Sequence, residues 1–196
     1  MASLVVLYSC SGNESGKDKG VNYHIIDSIP PPQPESKSFF PVTDYIRGQL
    51  FDIRQKQVNP MRFVTIKDHT DSAWMKIEKV EPAVQEFLSP AIDSTNLLSL
   101  FAEKQFFDRT LNVVTFTYEP RGPLPDSMQL SHWDVYVDPK TGNVKRVYLV
   151  KNRKDKEIQL TWVGDKWCKI TTIANKPDGT AEVEKEEKIV WGLDNQ

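Results

Sequence analysis

Polar and apolar residues alternate along most of the second half of the chain. In KEIQLTWV (156–163), Ile158, Leu160 and Trp162 are separated by polar side chains. A period of two is typical of a strand with one buried face and one face toward water. The same pattern predicts strands over 111–119, 130–138, 143–152, 156–163, 167–175 and 181–191. Short turns separate most of these segments, and short connections join antiparallel neighbours. The second half therefore predicts an antiparallel meander.

The same alternation occurs once in the first half. The segments 61–67 and 72–78 both alternate, and the residues between them, DHTD (68–71), have the composition of a turn. Two alternating segments joined by a short turn predict a β-hairpin.

Three other segments of the first half have apolar residues at helical spacing. TDYIRGQLFDIRQKQ (43–57) places Ile46, Leu50 and Ile53 at i, i+4 and i+7, which gives one apolar stripe. The other two helical segments are predicted around Val80–Leu88 and Asn96–Phe107.

These elements predict an α+β fold. An antiparallel meander of about six to eight strands would have one apolar face, and two or three helices would pack on that face. The alternative is an up-and-down barrel, because a meander of this many strands can close on itself.

The N-terminus has a different character. Leu7-Tyr8-Ser9-Cys10 ends a short apolar run, with a leucine three positions before the cysteine and a serine directly before it. This stretch resembles the lipobox of bacterial lipoproteins. The resemblance implies cleavage before Cys10, a diacylglycerol on its thiol, attachment to a membrane, and a periplasmic or surface-facing position in the cell envelope, with the outer membrane as one site. The alternative is a buried strand over Leu4–Tyr8, with Cys10 as an ordinary thiol.

The residues after Cys10 are typical of a tether. SGNESGKDKG is polar and rich in glycine, and the later PPPQP places four prolines in five residues. The alternative for the proline run is an ordered surface loop. The predicted organisation is a residual signal segment over 1–9, a tether with a proline-rich linker over 10–41, and one α+β domain over 42–196.

Composition excludes several classes of function. The net charge of −2 does not favour a nucleic-acid partner, whose phosphates require a basic surface. The sequence has no apolar run of about 18 residues, which a membrane-spanning helix needs. The motifs GxSxG, GxGxxG, HExxH, paired CxxC and the P-loop are also missing, so no catalytic residue, cofactor or metal ion is predicted.

Several residues with chemical potential have simpler explanations. Asp68, His69 and Asp71 form the nearest approach to a metal cluster, but they lie in a predicted turn, which favours these residue types. Cys168 lies within a predicted strand and is expected to be a small buried residue. An enzyme is therefore not favoured by these residues.

The stretch WDVYVDPKTGNVKRVYLV (133–150) resembles the strand–turn–strand of PepSY-type domains. Asp138, Thr141 and Gly142 carry the likeness. The resemblance implies a non-enzymatic extracytoplasmic module.

Three functions follow as hypotheses. The first is a lipid-anchored, non-enzymatic module of the cell envelope that binds another envelope protein or an apolar ligand. The second is a carrier or sensor that holds a lipid-like ligand between the sheet and the helices. The third is a hydrolase that uses His132 and Asp134, neighbours on one face of a strand. Because aromatic residues are common in binding surfaces, the candidate surface consists of Trp133, Tyr136, Tyr148, Trp162, Trp167 and Trp191.

Overall fold

The computed structural model describes residues 38–192. The lipobox with Cys10 and most of the tether therefore lie outside the described residues. The strands are β1 (Met61–Ile66), β2 (His69–Trp74), β3 (Phe101–Asp108), β4 (Val113–Pro120), β5 (Leu130–Val137), β6 (Val144–Arg153), β7 (Lys156–Val163), β8 (Trp167–Asn175) and β9 (Ala181–Val190). The α-helices are α1 (Val42–Gln55) and α2 (Val80–Ala83), and two 3₁₀ turns span Ile77–Lys79 and Gln85–Phe87.

All nine strands form one antiparallel sheet. Its hydrogen-bonded order is β2-β1-β9-β8-β7-β6-β5-β4-β3, so β2 and β3 lie at the two ends of the order. From β3 to β9 the chain adds each strand beside the previous one. The early hairpin β1–β2 then pairs with β9, the last strand, with Arg62 opposite Ile189. This single long-range pairing brings together parts of the chain more than a hundred residues apart.

The α+β prediction is wrong, because the described part of the chain is predominantly β. Only α1 is a helix of several turns, and α2 has four residues. The segment predicted as a helix around Asn96–Phe107 instead contains β3. Short apolar runs fit a strand or a helix equally well, and here pairing with β4 decides for the strand.

The predicted helix around Val80–Leu88 is also shorter than expected. The amide N–H groups of Phe87 and Leu88 donate to the carbonyl oxygens of Val84 and Gln85, three residues earlier, which is the pattern of a 3₁₀ turn. The apolar stripe predicted on this segment, Val84, Phe87 and Leu88, is nevertheless buried. The spacing of apolar residues thus indicated the buried side of the segment, but not whether its backbone forms a continuous α-helix.

The structure contains the predicted β-hairpin and the predicted C-terminal strands. The hairpin β1–β2 pairs Met61 with Trp74 and Ile66 with His69. Its turn is shorter than the predicted 68–71, because β2 begins at His69 and ends at Trp74. Strands β5 to β9 agree with the predicted segments to within one residue at each end.

The core lies between one face of the sheet and the segments that cover it. Helix α1 contributes Val42, Ile46, Leu50 and Ile53, which are all buried. The sheet contributes buried residues from β3 to β9. These are Phe101, Tyr118, Leu130, Trp133, Val135, Val147, Leu149, Ile158, Leu160, Trp162, Cys168 and Ile189. Phe39 also packs here, with its ring 4.9 Å from that of Tyr118. Most polar residues of the C-terminal strands lie on the opposite face of the sheet.

Within residues 38–192, no helix combines the length and the apolar character that crossing a membrane requires.

Candidate functional site

The six aromatic residues of the predicted binding surface fall into two groups. Trp133, Trp162 and Trp191 are buried in the core, at 0%, 0% and 5% exposure, and no described residue accepts a hydrogen bond from their indole N–H groups. Trp133 stacks on Tyr118 with ring centroids 4.6 Å apart. These three side chains therefore pack the core and do not contribute to an exposed surface.

Tyr136, Tyr148 and Trp167 lie on the opposite, polar face of the sheet and are half-buried. Arg146 covers the ring of Tyr136 at 3.8 Å from its centroid, and Lys188 lies 4.9 Å from the ring centroid of Trp167. Both contacts are cation–π interactions within the sheet. For these three residues the binding surface stays a prediction.

His132 and Asp134 share this polar face, as their spacing predicted. Asp134 accepts hydrogen bonds from the hydroxyl of Thr117, at 2.6 Å, and from the hydroxyl of Tyr136, at 3.5 Å. The ring of His132 lies 6.2 Å from that of Tyr148. Two hydroxyl groups donate to the Asp134 carboxylate, and within the described residues no hydrogen bond joins this carboxylate to His132. The two side chains are therefore not arranged as a histidine general base that a carboxylate orients.

The other sequence candidates have structural roles. Cys168 is 1% exposed, and burial raises the pKa of its thiol far above the ordinary range, so the thiolate needed for nucleophilic attack is not available. His69 and Asp71 lie in the edge strand β2 and not in the turn that the sequence predicted. His69 Nε2 lies 3.1 Å from Asp71 Oδ1, and both side chains are about 80% exposed, which is typical of a solvated edge strand.

A cleft of about 620 Å³ opens beside the pairing of β1 with β9. We call it the β1–β9 cleft. Its lining consists of Arg62, Ala73, Trp74, Met75, Lys76, Lys79, Ala83 and Glu187. The volume falls within the usual range for small-molecule sites.

Strand register places the two charged residues at the base of this cleft. Arg62 lies opposite Ile189, and Glu187 is two residues before Ile189 on the same strand, so all three project from one face. Ile189 is buried on that face, so Arg62 and Glu187 extend the core side of the sheet toward solvent. Arg62 Nε donates to Glu187 Oε1 at 2.6 Å.

The rest of the cleft comes from the segment after β2. Trp74 ends β2, and the amide N–H of Met75 donates to the carbonyl oxygen of Pro60, which holds this segment against the start of β1. Lys76 directly precedes the 3₁₀ turn that follows, and Lys79 ends it. Trp74 is 62% exposed, although indole rings of this size are usually covered in a folded protein.

The electrostatics of the cleft favour a negative ligand. The lining has three cationic side chains and one carboxylate, which gives a net charge of +2 on a chain whose total is −2. Glu187 also accepts from Lys185 Nζ at 2.7 Å. Burial would raise the pKa of Glu187, but the hydrogen bonds from Arg62 and Lys185 outweigh burial and lower it. Glu187 is therefore ionised and already paired at neutral pH.

Sequence reasoning missed this cleft, although one signal was available. Glu187 alternates with Ile189 and Trp191, so a carboxylate stood on the apolar face of the last strand. A charged residue at such a position needs a partner or a ligand. Its partner, Arg62, is 125 residues away, so the sequence alone could not identify it.

A second cleft, of about 400 Å³, lies beside the segment that covers β6. Its main feature is Lys151, whose side chain is 2% exposed. Lys151 Nζ donates to Glu86 Oε2 at 2.9 Å and to the carbonyl oxygens of Glu86 and Ser89. An ammonium group has three protons, so these acceptors use its full donor capacity. Arg153 Nη2 binds the second oxygen of Glu86 at 2.8 Å.

No protein-family model, curated protein or solved structure matches this chain. The functional argument therefore depends on the geometry of these sites.

Proposed function

We propose that this protein is a non-enzymatic binding module, held in the cell envelope by a lipid on Cys10, and that the β1–β9 cleft is its ligand site. The ligand we propose is a small amphipathic anion, with a carboxylate, sulfonate or phosphate at one end and an apolar portion at the other. The observation that carries the ligand class is the combination of surplus positive charge and an exposed tryptophan in one cleft.

Two lysines supply the available positive charge. Arg62 and Lys185 both form ion pairs with Glu187, whereas no described carboxylate forms an ion pair with Lys76 or Lys79. Both lysines are exposed and line the cleft. A ligand anion between them would gain two charge-assisted hydrogen bonds without displacing an internal partner.

The apolar part of the ligand would contact Trp74. Trp74 is one of the residues that line the cleft, together with Ala73, Met75 and Ala83. Aromatic side chains beside a few convergent polar groups are typical of small-molecule sites. Trp74 thus offers a flat apolar surface next to the cationic groups.

The alternative site for a lipid-like ligand, between the sheet and its covering segments, is occupied by side chains. Trp162 packs there against Phe87 and Trp191, with ring centroids 5.3 Å and 5.0 Å apart. A ligand of several hundred Å³ would have to displace these rings, so the open β1–β9 cleft is the better site.

A fluorescent anion tests the cleft. We expect 8-anilinonaphthalene-1-sulfonate, a sulfonate with two aromatic groups, to bind the full chain and to bind Lys76→Gln/Lys79→Gln at least tenfold more weakly, a loss of about 1.4 kcal/mol. Trp74→Ala should also weaken binding. The matched control is Lys140→Gln/Lys154→Gln, which removes two exposed lysines from outside the cleft and should leave affinity unchanged.

Two outcomes would contradict the cleft proposal. One is equal affinity of the dye for the cleft variant and the control variant. The other is that the cleft variant loses as much affinity for a neutral dye such as Nile red as for the sulfonate, because charge would then not select the ligand. Urea unfolding of each variant checks that the fold is retained.

The anchor has its own test. Metabolic labelling of cells with a radioactive fatty acid should mark the wild-type protein and not Cys10→Ser. Label that persists in Cys10→Ser would exclude the anchor and leave the cleft unaffected, because the cleft is tested on purified protein.

A further inference from the structure

The two edge strands of the sheet differ in character. Strand β2 has six residues, and before Trp74 its side chains are small, polar or charged. Strand β3 has eight residues and exposes two consecutive phenylalanines, Phe106 at 66% and Phe107 at 45%. Natural edge strands usually carry charges or are kept short, because an exposed edge is a template for pairing with another chain. Strand β3 lacks this protection at its phenylalanines.

The two phenylalanines make both faces of this edge apolar. Consecutive residues of a strand point to opposite faces, so Phe106 lies on the polar face of the sheet and Phe107 on the core face. Leu111, just beyond the strand, is 57% exposed. Among the strands of residues 38–192, β3 pairs with β4 alone, so within this part of the chain the outward N–H and C=O groups of β3 are open to a further strand.

We propose that a second copy of this chain pairs with β3, antiparallel and about a two-fold axis at Phe106. Such an axis places each residue opposite the residue equally far on the other side of position 106. Phe106 then faces its own counterpart, and Lys104 faces Asp108 in the second copy. The two chains would form one continuous sheet with an isologous interface.

Charge complementarity selects this register. An axis at Lys104 would set like charges opposite each other. An axis at Gln105 would place Lys104 and Glu103 opposite phenylalanine rings. Only the axis at Phe106 pairs Lys104 with Asp108, and symmetry makes this pair twice.

Both charged groups can take part in such a pair. Lys104 binds Glu119 on the neighbouring strand, and its side chain remains 67% exposed. Asp108 Oδ1 accepts from the amide N–H groups of Thr110 and Leu111. Asp108 Oδ2 therefore stays available for a cation. A contact limited to one strand is narrow, so we expect a dimer with a dissociation constant in the micromolar range.

Sedimentation velocity over a concentration series tests the dimer. The sample is the full chain with Cys10→Ser in reducing buffer, so that neither lipid nor a disulfide links two copies. We expect a concentration-dependent dimer that Phe106→Asp weakens at least tenfold. The matched control is Ile66→Asp, which places the same charge on an exposed apolar residue, 53% exposed, near the other edge of the sheet.

Charge reversal tests the register. Lys104→Asp alone and Asp108→Lys alone should each weaken self-association, because each sets like charges opposite one another. An equal mixture of the two variants should restore the dimer, since the reversed charges then attract across the interface. Urea midpoints near the wild-type value show that each variant is folded. A monomer at every concentration, or a dimer that Phe106→Asp leaves intact, overturns the proposal, and a mixture that does not associate overturns the register.

Discussion

Lys151 provides the strongest test of how the covering segment is held to the sheet. Its ammonium group is 2% exposed and donates to three acceptors of the segment that contains Glu86 and Ser89. Burial lowers the pKa of Lys151, while the hydrogen bond and charge of Glu86 oppose this change. The perturbation is Lys151→Met, which keeps an unbranched apolar side chain and removes the charge.

The expected loss follows from the partners that remain. Removing one member of a buried ion pair costs about 3–5 kcal/mol, because the other charge stays buried without compensation. Here the cost is reduced, because Glu86 keeps Arg153 at 2.8 Å and its side chain is 33% exposed. The adjacent cleft of about 400 Å³ can also admit water to the two carbonyl oxygens. We therefore expect a loss of about 2–4 kcal/mol in the free energy of unfolding.

Urea unfolding followed by far-ultraviolet circular dichroism measures this loss. The control is Lys154→Met, an exposed lysine three residues away, for which we expect a change within about 0.5 kcal/mol. A double-mutant cycle with Glu86→Gln should give a coupling energy of at least about 1 kcal/mol. A loss below about 1 kcal/mol in Lys151→Met, at an unchanged urea slope, would refute the structural role of this lysine.

Three further predictions follow from individual residues. Because the folded pKa of Glu187 is lowered, its ionisation stabilises the fold above the unfolded value of about 4.5, and this contribution is lost as pH falls through the folded pKa. Glu187→Gln should thus be less stable than wild type at pH 7, and the difference should shrink toward pH 3. In Cys10→Ser, the thiol of Cys168 should react with Ellman's reagent only after unfolding. Gly192→Ala should cost about 1–3 kcal/mol in the free energy of unfolding, because its Cβ would lie 2.5 Å from the carbonyl oxygen of Asp165.

For each of these predictions, one experimental result would contradict it. For Glu187, urea unfolding across this pH range would show a difference that stays constant or grows. For Cys168, stoichiometric labelling of native protein within minutes would contradict its burial. For Gly192→Ala, a urea midpoint equal to that of Gly48→Ala, where an added Cβ meets no atom within 4 Å, would show that the backbone yields without cost.

The C-terminal strands could be predicted because their signal is local. In β5 and β7 buried and partly buried side chains alternate almost regularly, and turn residues bound each strand. The alternation and the turn residues therefore predict the same strand boundaries. Strand β3 lacked such a signal. In FAEKQFFD apolar and polar residues do not alternate, and Ala102 and Phe106 are spaced as in a helix, so only the hydrogen bonds to β4 identify a strand. The same ambiguity explains why the helical content was overestimated.

The β1–β9 cleft could not be predicted because it depends on pairing between the ends of the described fold. Trp74 and Lys76 are close in sequence, and alternation placed them on the predicted hairpin. Their nearness to Glu187 follows only from the pairing of β1 with β9. No rule of local composition specifies which earlier strand the last strand of a meander will meet.

Each of the two clefts contains a buried charged residue on the core side of the sheet. Lys151 in β6 and Glu187 in β9 each lie two residues from a buried apolar residue of the same strand, Leu149 and Ile189. Their partners separate the two cases. The three ammonium protons of Lys151 have three acceptors within the protein, so none is left for a ligand. We therefore assign Lys151 and the second cleft a structural role. Glu187 is paired by two cations, and Lys76 and Lys79 then add charge that no described carboxylate balances through an ion pair. Surplus positive charge beside an exposed tryptophan supports our proposal that the cleft at Glu187 is the ligand site.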